Sequence, residues 1–350
     1  MLNRREVCRG GLLGLVGARA MGAQVTMTAA TTRPDVGATD EAHIAAMADR
    51  ALGMTPSLDI ANGTVPALAA GYVHFRVTDV ARAERYRTHA VASLRMLFVT
   101  AATRLNNELA ETNHPEDVLG LMPLAEIAQA IPFLAGPRGE EGGVTAEEMT
   151  AIRGWFAGLL ASMNSSRTGG LARDHRDHVA GVWLLVATTC ARLTGDDAQM
   201  LALRHQFKMV TLRAQVRGDG VFPHELTTRE PYRNSLFALD LLAASCELLS
   251  TKFESLWEYE LQDGPGMRVL VAKHAPWIEN RNSWPYPADA TLFHELPCRR
   301  VALLLAAKAY SRPEYAAIWR GLEPAEPTSP VLLASFPVRQ PLLWVTRVPV

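Results

Sequence analysis

From about residue 41 to residue 322 the chain repeats one theme: an apolar-periodic stretch of 12–20 residues, then a short break of Gly, Pro or Asp. Apolar positions recur at helical spacing and no sustained period-two alternation appears, so helices rather than a sheet must supply the core. The clearest helices fall near 80–104, 116–134, 146–163, 178–193, 197–216, 233–250, 265–275 and 292–310. Thr145-Ala146-Glu147-Glu148 has the form of a capping box that opens the third of these. Thr194-Gly195-Asp196-Asp197 closes one helix with a glycine and opens the next with an aspartate, a tight helix–turn–helix joint. Helix hairpin follows helix hairpin without a fixed sequence period. The pattern predicts an all-α fold, either an irregular bundle or a closed toroid of antiparallel helix pairs.

Composition narrows the function classes. The 350 residues are 48% hydrophobic and 20% charged, ordinary for a soluble globular protein and too apolar for a disordered one. A formal net charge of −1 and a pI near 6.8 give no basic excess, so nucleic acid is not an expected partner.

The first residues stand apart. Arg4-Arg5, the apolar run GGLLGLVG and Ala18-Arg19-Ala20 have the order of a twin-arginine secretory signal over 1–23, which predicts a periplasmic or secreted protein. That run is far short of the ~20 residues a membrane span needs, and no later stretch reaches that length without charges, so no span is expected. Residues 24–40 are small and polar and read as a flexible mature N-terminus. Residues 41–350 then form one domain, whose tail (323–350) is proline-rich but apolar and is expected to pack extended against the body. Cys8 lies in the signal, while Cys190, Cys246 and Cys298 sit in apolar helical context and read as buried thiols with at most one bridge. No C-x-x-C or C-x-x-H pair supports a structural zinc site.

The stretch GDGVFPHELTTREPYRNSLFALD, residues 218–240, interrupts this apolar chain with donors and titratable groups that a plain turn does not need. It belongs to a set of ordered motifs: TAATRLNNEL (100–109), WFAGLLASMNSS (155–166), WLLVATTCARLTGD (183–196), DGVFPHEL (219–226), SLFALDLLAASCELLS (235–250), LWEYELQDGPGM (256–267), WPYPAD (284–289) and RQPLLWV (339–345). In order and spacing, from about residue 85 to 345, they resemble the alginate-lyase-like polysaccharide lyases. The resemblance implies an incomplete (α/α) toroid of antiparallel helix pairs around a cleft, and β-elimination on an anionic, uronic-acid-containing polysaccharide such as alginate or glucuronan. It requires no metal and no other cofactor.

Such an elimination removes the proton beside the uronate carboxylate, so the site must neutralise that carboxylate and then move a proton to the leaving oxygen. The resemblance implies Asn, His and Arg in the first role and Tyr with His in the second. This chain departs from those motifs. Thr228 and Glu230 stand where the family has basic residues, and Asn234 stands at the tyrosine position. Arg229 is one residue displaced from the expected arginine and Tyr232 two residues from the expected tyrosine. In DHRDH (174–178), His178 lies within one position of the family histidine and Asp177 stands near the asparagine.

The implied catalytic set is therefore His178, Arg229, Tyr232 and Asn234. The implied substrate-binding set is Arg104, His175, Arg176, Asp177, Arg233 and Trp284. Two readings fit: the shifted residues re-form the same functions, or the fold binds an acidic glycan without cleaving it. A glycoside hydrolase would need paired acids across the cleft, and no second acidic cluster is evident. Each assignment has a structural counterpart. Asp174 or Asp177 reads equally as a helix N-cap, Glu225 as an acceptor tying the loop, Trp284 with Tyr286 as core packing, and Arg104 as half of a surface ion pair.

Overall fold

Helices α1 (Val36–Ala51), α2 (Thr64–Phe75) and α3 (Val80–Leu94) open the fold in the computed structural model, which describes residues 36–59, 62–135, 142–262, 264–296, 298–323 and 329–346. They are followed by α4 (Pro123–Ala135), α5 (Ala146–Ser165), α6 (Arg167–Arg173), α7 (His178–Thr194), α8 (Asp197–Gln206) and α9 (Leu212–Gln215). The chain continues through α10 (Pro231–Leu249), α11 (Met267–Glu279), α12 (Val301–Tyr310) and α13 (Pro313–Gly321) to the short α14 (Pro330–Leu333) and α15 (Leu342–Val345). Among the described residues there is no β-strand, only an isolated bridge between Glu260 and Gly266.

Packing follows the hydrophobic pattern. Helices α2, α4, α7, α10 and α12 touch in that order and form an inner layer, while α1 and α3 cover α2, α5 and α8 cover α7, α11 backs α10 and α13 backs α12. The inner helices are apolar nearly all round, as burial on every side requires: in α7 every residue from Val179 to Ala191 is buried, and in α10 the run Ser235–Cys246 is. Where α7 meets α10, a Cβ on Gly181 would lie 3.1 Å from the Leu241 side chain, so glycine there sets how closely the two backbones approach. The result is the toroid of antiparallel helix pairs that the periodicity allowed.

Local signals place several helix ends. Thr145 and Glu148 complete the capping box of α5. Gly195, at φ 73°, closes α7 in the left-handed region, and Asp196 then caps α8 by accepting from Gln199 N at 3.0 Å. Other expectations need correction. Helix α1 begins at Val36, inside the stretch expected to be flexible, whereas residues 1–35, with the signal and most of that stretch, lie outside the described residues. The helix expected to reach residue 104 passes into a π-helical turn at Arg95–Val99 and ends there, leaving a turn at 101–103 and then a segment without helix or strand to 112. That segment is stitched to α5 and α6: Trp155 Nε1 donates to Leu105 O at 2.8 Å, Ser162 Oγ accepts from Leu109 N at 2.8 Å, and Thr168 Oγ1 accepts from Thr112 N at 2.7 Å.

The helix expected over 292–310 starts only at Val301; Leu296 is extended (φ −102°, ψ 157°), the backbone that the following Pro297 imposes on its predecessor. The tail is not simply extended either, since α14 and α15 punctuate it and bury Leu333, Phe336, Leu343 and Trp344. Cys190, Cys246 and Cys298 are free and buried. Within Pro115–Ala135 an 18-residue stretch has a mean hydropathy of 1.6 and passes as a membrane span by length and composition alone, but 61% of that stretch is buried inside the protein.

A buried ion pair binds three elements. Asp240 of α10 caps the first turn of α12 by accepting from Ala302 N at 3.0 Å, and its second oxygen lies 2.8 Å from Arg300 Nε. Arg300, fully buried, donates through Nη2 to Ser335 O at 2.7 Å and lies over the Phe336 ring. Removing one partner leaves a charge in the core without an answer. Arg300→Met should therefore lower the unfolding free energy by about 3–5 kcal/mol in urea denaturation, whereas a double Asp240→Leu/Arg300→Met variant should lose much less. Equal losses in the two variants would contradict this assignment.

Candidate functional site

Helix α7 starts at the half-buried Asp177 and His178, and its first N–H groups find protein acceptors. Asp177 is the N-cap and accepts from Val179 N at 2.9 Å. The second acceptor comes from the loop after α9. A 3₁₀ turn at Glu225–Thr227 turns Glu225 inward until it is 1% exposed, and its Oε1 accepts from His178 N at 2.7 Å. Gln215 adds a third tie, donating Nε2 to Asp177 O at 2.9 Å.

The same carboxylate holds the His178 ring. Both Glu225 oxygens lie 3.1 Å from Nδ1, and because a carboxylate only accepts, Nδ1 carries the proton. The other face of the ring leans on Phe237 of α10, with centroids 5.2 Å apart. Burial works against charge on His178, but the hydrogen bond and charge of Glu225, helped by Asp177, outweigh it and raise the pKa above 6.5; the neighbouring Arg233 guanidinium opposes them. His178 is thus held protonated further toward neutral pH than a free histidine.

Arg233 sits on the first turn of α10. Its side chain is half-buried, with Nη2 3.9 Å from Glu230 and Nη1 shut off from solvent without a hydrogen-bond partner. Glu230, at the N-cap position of α10, makes no side-chain cap. Asp289, from the loop between α11 and α12, accepts instead from Tyr232 N at 2.7 Å and Arg233 N at 3.0 Å. Burial pushes the Asp289 carboxyl up to about 6, with those two N–H bonds pulling the other way.

The remaining residues singled out from the sequence divide sharply. His175 is exposed and bonds through Nδ1 to Asp177 Oδ1 at 2.7 Å, so Asp177 is spent on a helix cap and a histidine. Tyr232 is core: it is 0% exposed, its hydroxyl donates to Trp277 O at 2.8 Å, and burial drives its pKa upward, so the proton-transfer role expected of it does not fit. Trp284 is buried too, edge-on to Tyr232, Trp277 and Tyr286, with Nε1 donating to Pro287 O at 2.9 Å. It packs an aromatic cluster and does not offer a sugar-stacking face. Asn234 donates to Thr228 Oγ1 at 3.1 Å and steadies the 225–230 turn. Arg104, Arg176 and Arg229 are exposed, and no hydrogen bond or ion pair ties their guanidinium groups to His178. The guanidinium whose charge acts on His178 is that of Arg233.

Two functional features were not read from the sequence. Asp289 was quoted only as the end of WPYPAD, and its capping role depends on a loop 56 residues away. The other is a grouping: single ligand atoms of Asp177, His178 and Glu225 all lie within 4.8 Å of one another, close enough for a metal ion. The donor set fits a hydrogen-bonded cap better than a metal centre. An oxygen of each carboxylate already accepts a backbone N–H, and a cation there would face the positive end of α7.

The alginate lyase family model matches residues 70–284. A crystal structure of an alginate lyase from Bacteroides ovatus superposes with a TM-score of 0.63 at 18% identity, covering 85% of this chain and 74% of that one, a likeness of fold. No curated protein matches the chain.

Replacing Glu225 tests the electrostatics directly. In Glu225→Gln the charge that raises the His178 pKa is gone, while burial and Arg233, which lower it, remain. The NMR titration midpoint of the His178 ring should fall relative to the wild type; a midpoint that stays or rises would contradict the assignment.

Proposed function

The chain belongs to the alginate lyase family of polysaccharide lyases, and we propose that it cleaves a uronic-acid-containing glycan by β-elimination after export. The observation that carries this reading is the pair of cationic side chains at the starts of α7 and α10. His178 has its charge sustained by Glu225, and beside it Arg233 keeps one N–H donor without an acceptor. An unanswered buried donor costs about 1–3 kcal/mol, more when charged. A uronate carboxylate would supply the missing acceptor once Nη1, closed to solvent in this structure, opens to it, and fixing it there makes the adjacent C5–H acidic enough to remove.

In this reading His175 moves the proton. Asp177 takes its Nδ1–H, which leaves Nε2 as the free basic nitrogen of an exposed ring. In the reaction the C5–H and C4–O bonds break, a C4=C5 double bond forms, and the C5 proton ends on the departing oxygen. One group that takes that proton and passes it on balances the step. The twin-arginine start of the sequence supports action in the periplasm or outside the cell.

A second reading has its own support. Neither the buried Tyr232 nor the amide of Asn234 is able to transfer a proton, so a protein that binds an acidic glycan without cleaving it would also carry this site. Absorbance of the conjugated double bond separates the two when the protein meets polyglucuronate, polymannuronate or hyaluronate. Rising absorbance is expected, with His178→Ala and Arg233→Ala each lowering the rate about 100-fold or more. Binding without absorbance would leave the non-cleaving reading, and reducing ends without absorbance would mean hydrolysis.

A further inference from the structure

Helix α10 lacks a cap of its own. Glu230 stands at the N-cap position but turns outward, accepting from Thr291 N at 3.2 Å and Thr291 Oγ1 at 3.0 Å. The N–H groups of the second and third helical residues, Tyr232 and Arg233, are answered by Asp289. A backbone bond from Ala290 N to Arg229 O, 2.9 Å, fastens the same loop to the same turn. Asp289 is 7% exposed, so water does not compete for these bonds. The acceptor on Arg233's own amide therefore comes from a loop that follows α11.

We propose that Asp289 is a positioning residue: by capping α10 from the 284–291 loop it fixes the backbone of Arg233 and thereby aims that guanidinium at a uronate carboxylate beside His178. This rests on the carboxylate-binding reading above. Without Asp289 the first turn of α10 has no acceptor and frays, and Arg233 loses its set position while keeping its charge.

The test compares two ligands by calorimetry, an oligouronate and the same oligosaccharide with its carboxyl groups reduced to alcohols. The wild type should prefer the uronate. Asp289→Ala should cut that preference about tenfold or more, the scale of one charge-assisted hydrogen bond, while binding of the reduced ligand stays as it was. Adding Glu230→Asp should restore it, because an aspartate at the N-cap reaches the same two N–H groups from within the helix. Asp289→Asn, which keeps one carbonyl acceptor, should fall between. An Asp289→Ala protein that retains the wild-type preference would overturn the proposal and leave the carboxylate reading standing. So would a double variant that regains its melting temperature but not its preference. A wild type that binds both ligands equally would remove the carboxylate reading and this inference together.

Discussion

A helix that begins inside a protein has N–H groups that water cannot reach, and the site is organised around answering them. Helix α7 shows it with a half-buried start. Asp177 answers Val179, and Glu225 answers His178 from a segment 47 residues further along the chain. Because Glu225 is the acceptor, the loop after α9 must fold back onto α7. Because the same carboxylate also grips Nδ1, the ring of His178 has one orientation. Backbone satisfaction, loop placement and side-chain chemistry are here one interaction. Helix α10 repeats the arrangement with Asp289 as the borrowed acceptor, and α12 repeats it with Asp240.

This explains how a site suited to an anion tolerates so many acids. Asp177, Glu225 and Asp289 each face backbone N–H groups at the positive end of a helix, where their charge is favourable. Their charge is thus largely absorbed by the scaffold. Glu225 does more, since its buried negative charge sustains a proton on His178. Arg233 stands beside it with a donor unspent. Acids gathered at the helix starts thereby leave a cationic pair.

The architecture was legible because it is written in periodicity. Apolar spacing located the inner helices α4, α7 and α10, and short-range signals such as the Thr145 box and Gly195 marked ends to the residue. What failed were places where a longer-range partner, or a single unweighed residue, decides the outcome. Pro297 alone was enough to shorten the expected 292–310 helix, and α2, apolar on every side, offers no amphipathic stripe to read. Within the site, sequence spacing brought Tyr232 and Arg229 forward because they lie close to the motif positions. Helix phase decides otherwise: position 232 turns into the core, while position 233, one residue on, keeps a half-buried guanidinium whose charge is felt at His178. No local pattern announces that Asp289 caps a helix begun 58 residues earlier.

The central claim is that His178 and Arg233 together hold a sugar acid, and a crystal structure with a bound uronate trisaccharide tests it most directly. The account predicts one carboxylate at about 3 Å from the Arg233 guanidinium and within reach of the His178 ring. Carboxylates gripped only by Arg104, Arg176 or Arg229, with Arg233 still unpaired, would contradict it.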